Sequence, residues 1–288
     1  MKPLRHYRKA MTQHGHPFKF VLGRLLVKSR ASLLFTIQCD LYRVRFTPSV
    51  YALNYLLRPN VREWPEHGLL LSYLRPGDTV IDVGANQGMM ALTASGAVGK
   101  TGKVFAIEPH PRTFGWLEKN IAINFKTNIV PKNVAAGASV GSVTFSDDWN
   151  DSANHVTSDG PLVVGVETLD RLITDVPEVA MLKIDVEGYE KFVLEGATRT
   201  LSRTACVYFE AHDATYAAMG YESADVVSLL FQQGFRVYRW LPGNVFIREI
   251  DNTYRTSDIP ENLLAIRDIE YFMKRTGNRY TVSCSKDG

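Results

Sequence analysis

The stretch VIDVGANQGMMAL, Val80 to Leu92, constrains this chain more than any other. Val80, Ile81 and Val83, with Asp82 among them, read as a short buried strand. The chain then passes through Gly84, Ala85, Asn86, Gln87 and Gly88 before helix-forming residues resume at Met89. Strand, glycine turn and helix make up the ligand-binding half of a βαβ unit. Gly84 and Gly88 allow a tight turn and a close backbone approach to a ligand. The first turn of the helix offers N–H groups that have no partner within the helix.

The details of the turn separate the candidate ligands. A dinucleotide site calls for GxGxxG, whereas this turn is GxNxG, with Asp82 two residues ahead of the first glycine. That carboxylate would repel a pyrophosphate but suits the ammonium and sulfonium of S-adenosylmethionine. A second strand-like run, Val104 to Ile107, ends at Glu108, twenty-four positions after Gly84. An acid at such a strand tip accepts ribose hydroxyls in nucleoside-binding folds. A nucleoside site is therefore expected, with an ordinary βαβ turn and a capping acid as the alternative.

Composition matters at the N-terminus. Residues 1–45 hold ten Lys or Arg and one acid, Asp40, which leaves 23 basic and 29 acidic residues for the rest of the 288-residue chain. A +9 arm beside a −6 body can dock on the body, on anionic lipid or on an acidic substrate. Phe18, Val21, Leu22, Leu25 and Leu26 follow helical spacing, with Lys19, Arg24 and Lys28 beside them. A docked accessory helix is the first expectation, and peripheral contact with an anionic membrane through residues 1–45 is the second. No apolar run is long enough to span a bilayer, and no signal peptide is legible. Three scattered cysteines, Cys39, Cys206 and Cys284, point to reduced thiols and a cytoplasmic location, not to a zinc site.

Taken in order, the chain predicts a hairpin across LLFTIQ and LYRVRF, and helices over 50–57 and 62–74. Alternating strands and helices begin at Pro76. Strands are expected at 80–83, 103–107, 129–136, 179–185 and 205–210, with an inserted hairpin and polar loop at about 140–166. FRVYRWL and NVFIREI, around Pro242-Gly243, predict a terminal hairpin. The fold class is α/β: a mostly parallel, Rossmann-like class I methyltransferase sheet with a closing C-terminal hairpin and helices on both faces. Residues 1–67 form an N-terminal extension and residues 68–288 the cofactor-binding domain.

Three blocks together carry a family resemblance: VIDVGANQG, AIEPHPRTFGWLEKNIAIN, and TLDRL followed by LKIDVEGYEKFVLEGA. They are similar to the FkbM-type S-adenosylmethionine-dependent methyltransferases, over roughly residues 68–212. The resemblance implies methyl transfer to a hydroxyl of a sugar or natural-product small molecule. It carries Asp82, Gly84, Ala85, Asn86, Gly88 and Glu108 over as cofactor contacts, with Asn133, Val134 and Ala135 flanking the adenine. The rest of the chain leaves the acceptor and any homo-oligomer open.

A sugar hydroxyl, with a pKa near water's ~16, needs a base or a metal to lose its proton. Asp185 ends one strand-like run at the edge where open α/β sheets bind ligands, and Lys183 shares its parity. Glu210 and His212 end the next run, and His212 is the preferred base because its ordinary pKa of about 6.5 suits neutral pH. Asp185, Glu210 and His212 could instead hold a divalent cation such as Mg²⁺. Tyr216 and Trp149 are candidate sugar-stacking residues. Two alternatives remain: a non-catalytic cofactor-binding subunit, and an NAD-dependent oxidoreductase. No NPPY-like or DPPY-like base-flipping motif is present, so no nucleic-acid substrate is expected.

Overall fold

The computed structural model describes residues 17–148, 154–240, 246–256 and 259–283. Trp149, Cys284 and the Pro242-Gly243 turn lie outside the described residues. The N-terminal extension holds α1 (Pro17–Lys28), a two-stranded hairpin of β1 (Thr36–Gln38) and β2 (Arg43–Arg45), and α2 (Val50–Leu57). Next comes α3 (Pro65–Tyr73), which starts later than the sequence suggests. Pro65 lacks an N–H and has a fixed φ, so it is suited to the first helical position.

The α/β body follows, with β3 (Thr79–Val83), α4 (Met89–Val98), β4 (Lys103–Ile107), α5 (Pro111–Ile123) and β5 (Ile129–Lys132). A second, three-stranded sheet is formed by β6 (Ala135–Ala136), β7 (Gly141–Phe145) and β8 (Leu162–Glu167). Then come α6 (Leu169–Leu172), β9 (Val179–Ile184), α7 (Glu190–Glu195), α8 (Thr198–Ser202), β10 (Thr204–Ala211), α9 (Asp213–Ala218) and α10 (Ser223–Gln232). The chain closes with β11 (Arg236–Trp240), β12 (Phe246–Ile250), β13 (Glu261–Ile266), α11 (Ile269–Arg275) and β14 (Thr281–Ser283).

Among the described residues the main sheet has nine strands in the order β14-β12-β11-β13-β10-β9-β3-β4-β5. From β5 to β10 every pairing is parallel, as a Rossmann-like class I methyltransferase sheet requires. The expected β11/β12 hairpin forms, with Val237 opposite Ile250. It does not lie against β10, however. The strand between them is β13, antiparallel to both β10 and β11 and not anticipated from the sequence. Its run ENLLAI is short and follows a polar stretch, so periodicity alone does not single it out.

The expected strand over 129–136 is split. β5 is the sheet edge, where Pro131 needs no donor on its outer side. The chain then breaks at Asn133, and β6 pairs with β8 in the second sheet. Alternating side chains cover the two faces of the main sheet. Val80, Val104, Met181 and Tyr208 share a core with α4, α11, α3 and the N-terminal extension. Ile81, Val83, Leu182 and Phe209 share the other core with α7, α8 and α10.

The extension is fastened to the body by side chains of α5 and its C-cap. Asn124 Oδ1 accepts from the Arg43 N–H at 2.8 Å, and Asn120 Oδ1 accepts from the Arg45 N–H at 2.8 Å. Gln87, within the glycine turn, is fully buried; its Oε1 accepts from the Thr47 hydroxyl at 2.9 Å. The turn is thus held from behind by the extension, leaving its other side for a ligand.

Candidate active site

At the carboxyl edge of the parallel strands lies a cleft of about 250 Å³. The loops after β3, β4 and β9 line it, together with Glu210 on β10, Tyr51 on α2, and Phe145, Asn154 and Val156 of the inserted sheet and loop. The loop after β3 follows from its glycines. Gly84 has φ +73°, and a Cβ there would stand 1.8 Å from the Asp185 carbonyl oxygen. The glycine expected to admit a ligand therefore admits the neighbouring strand's backbone. Gly88 has φ +90°, and its Cβ would strike Leu117 of α5 at 2.4 Å. Gly84→Ala is expected to cost at least about 2 kcal/mol in urea unfolding, from overpacking plus left-handed strain. A loss within about 0.5 kcal/mol, the range of neutral surface substitutions, would show that the β3–β9 contact is not tight.

Of the residues carried over as cofactor contacts, Gly84, Ala85, Asn86, Glu108 and Ala135 line the cleft. Glu108 is buried; its Oε2 accepts from the Asn86 N–H and its Oε1 from the His110 N–H, both at 2.9 Å. Burial pushes its carboxyl up to about 7, against the pull of those two N–H groups. Asn133 has a different task. Its side-chain amide donates to the carbonyls of Glu108 at 2.9 Å and Pro109 at 3.0 Å, fixing the turn that carries the acid. Val134 packs into the core beneath the sheet.

Asp82 departs from expectation. It is buried and is not among the residues lining the cleft. It pairs in register with Lys183, whose Nζ lies 3.1 Å from Asp82 Oδ1 and 3.4 Å from Asp185 Oδ2 and donates to the Gly84 carbonyl at 2.9 Å. Burial works against the Lys183 charge, but the two carboxylates override it and hold the amine protonated. Asp82 is thus paired with Lys183 and set back from the cleft.

Three other carboxylates face the cleft: Asp185, Glu187 and Glu210. Glu187 adopts φ 53° and is followed by Gly188 at φ 99°, a left-handed pair whose bend is closed by Glu190 Oε1 accepting from the Val186 N–H at 3.0 Å. Burial, with Asp185 nearby, raises Glu187 to about 7. Burial, with Asp185 and Glu187 nearby, raises Glu210 to about 8. Sequence parity had singled out Asp185 and Glu210, and the fold brings them together. His212 does not join them: it is not among the cleft-lining residues, and its Nε2 is buried without a hydrogen-bond partner at the start of α9. β10 ends at Ala211, so the strand parity that linked it to Glu210 stops short of it. Tyr216 is fully buried and stacks on Tyr221, a core role and not a sugar platform. Among the described residues no three His, Cys, Asp or Glu side chains are placed to hold a metal ion, so Asp185, Glu210 and His212 do not form the anticipated cation site.

Sequence reasoning missed Tyr51, Tyr189 and the side chains of the inserted sheet as cleft walls. It also left the role of His110 unread. His110 Nε2 lies 3.2 Å from Asp147 Oδ1, and Arg112 lies 2.7 Å from the same oxygen, so the loop after β7 is pinned to the start of α5. The EPHPR run was a signal for that contact, but its partner lies 37 residues away in sequence.

Residues 82–237 match the family model of the methyltransferase FkbM domain. The chain is 30% identical over 193 residues to the hexuronic acid methyltransferase AglP of Haloferax volcanii, covering 66% of this chain and 76% of that protein. Among solved structures it is similar to the methyltransferase FkbM from Methylobacillus flagellatus KT, with 18% identity and a TM-score of 0.43, over 74% of this chain and 52% of that one. It is also similar to an S-adenosylmethionine-dependent O-methyltransferase from Thermotoga maritima, with 13% identity and a TM-score of 0.41, over 81% and 85%.

Proposed function

Because this chain belongs to the FkbM methyltransferase family, we propose that it transfers a methyl group from S-adenosylmethionine to a hydroxyl of a sugar or sugar-like small molecule, with Glu210 taking the acceptor proton. The observation that carries this reading is the division of the cleft along the sheet edge. Glu108 follows β4 and Glu210 lies on β10, with β3 and β9 between them. Three strand spacings put them roughly 14 Å apart. Glu108 would accept the ribose hydroxyls, with Ala135 and Ala136 beside the adenine. Asn86 and the Gly84–Ala85 backbone would line the path toward the acidic end of the cleft. The cofactor supplies an electrophilic methyl on a sulfonium. The protein's part is to align the acceptor oxygen and to remove its proton.

At that end burial, with Asp185 and Glu187 beside it, keeps the Glu210 carboxyl basic enough to work near neutrality. The relative that acts on a hexuronic acid supports a sugar acceptor. Methyl transfer from radiolabelled S-adenosylmethionine to a panel of free hexoses and uronic acids tests the reading directly. Binding of S-adenosylhomocysteine without transfer to any of them would favour a non-catalytic subunit, and binding of NAD in place of either sulfur cofactor would remove the premise. Glu108→Ala is expected to weaken S-adenosylhomocysteine binding by roughly 1–3 kcal/mol in titration calorimetry. An unchanged dissociation constant would mean that Glu108 does not meet the ribose.

A further inference from the structure

Apart from Leu26, which packs on the core, the stripe that marks α1 as amphipathic faces away from it. Phe18 is 90% exposed, Leu22 58%, Leu25 59% and Val21 44%, all on one side of the helix. The opposite side docks: Phe20 is buried, and a Cβ at Gly23 would lie 2.5 Å from Leu53 Cδ1 of α2. That close approach fixes the helix on α2, so the outward apolar stripe cannot roll inward without leaving Leu53. The turn after α1 continues the surface with Leu34, 81% exposed, and Phe35, 51% exposed.

Charge decides what such a surface suits. Lys19, Arg24, Lys28 and Arg30 are exposed along the same segment, and no Asp or Glu occurs before Asp40. We propose that the outer face of α1, together with Leu34 and Phe35, docks on an anionic membrane surface. A helix about 18 Å long lying in the plane of the interface places its apolar stripe among the acyl chains and its lysines at the headgroups. No helix among the described residues is long and apolar enough to cross a membrane, so the contact is peripheral. A protein partner of mixed charge would leave the uniform basic charge of this segment unmatched, whereas an anionic leaflet matches all of it.

The test is co-sedimentation of the full chain with vesicles of phosphatidylcholine alone and of phosphatidylcholine mixed with phosphatidylglycerol. Binding is expected only to the mixed vesicles, and it should weaken as salt shortens the screening length. The double variant Phe18→Ser, Leu25→Ser is expected to lose about tenfold or more in partition, since both side chains are exposed on the outer face and would be buried in lipid. Lys19→Gln and Lys28→Gln are each expected to lose about fivefold on anionic vesicles. Unchanged S-adenosylhomocysteine binding in each variant would show that it is folded. Three results would overturn the proposal: no sedimentation with anionic vesicles, variants that partition like the parent, or substitutions that only turn a dimer into a monomer.

Discussion

Glu210→Gln is expected to lower the methyl-transfer rate by about 10²–10⁴-fold, the usual contribution of a positioned general base. Affinity for S-adenosylhomocysteine should change little, because Glu210 stands at the far end of the cleft from Glu108. In the parent enzyme the rate should rise with pH through about 8, where Glu210 becomes ionised and able to accept a proton. The Gln variant should lose that limb. The same group leaves a mark on stability. Its folded-state pKa lies above the ordinary carboxylate value of about 4.3, so between that value and about 8 the folded chain holds more protons than the unfolded one. Unfolding free energy therefore falls as pH rises across this window, and Glu187, raised to about 7, adds to the decline. Glu210→Gln, which cannot ionise, should flatten part of it in thermal melts of the ligand-free protein. A fully active Glu210→Gln, or a larger rate loss in His212→Ala, would return the proton to His212.

What could be read from the sequence divides along a physical line. The parallel strands were legible because β9 is apolar except for Lys183 and the glycine turn is chemically distinct. The closing region was only half legible: β11 and β12 alternate visibly, but β13 reaches its place beside β10 through contacts remote in sequence. Within the site, residue type and strand parity pointed to Asp185 and Glu210, and both line the cleft. Parity failed at His212, where β10 gives way to α9 and the period of two no longer holds. The surroundings of Asp82 were illegible for another reason. An acid beside a glycine turn looks the same in sequence whether it meets a ligand or a lysine on the neighbouring strand, and the β3–β9 register alone decides. The stripe of α1 was correctly periodic, but periodicity does not say which side the core takes. The close approach of Gly23 to α2 says it.

Lys183→Met tests the register that joins fold and site, and it is expected to destabilise the protein by about 3–5 kcal/mol at neutral pH. Met has nearly the length of the lysine stem, so packing is largely kept and the change is chiefly one of charge. Lys183 Nζ serves Asp82, Asp185 and the Gly84 carbonyl together. Asp185 is 45% exposed and can turn to water, whereas Asp82 is 2% exposed and cannot. The cost therefore comes from a single stranded carboxylate. Asp82 should then take up a proton, and the variant should lie nearer the parent in mildly acidic urea titrations than at neutral pH. The sign follows from the raised folded-state pKa of an unpaired buried acid: the penalty is small below the unfolded value of about 3.9 and grows as pH climbs above it. Adding Asp82→Asn to Lys183→Met removes the stranded charge while keeping its shape. The double variant is expected to recover more than half of the loss, giving a strongly non-additive cycle, as directly paired groups do. Additive losses from the two substitutions would mean that Lys183 stabilises the fold through Gly84 and Asp185, and that the Asp82 pair contributes little.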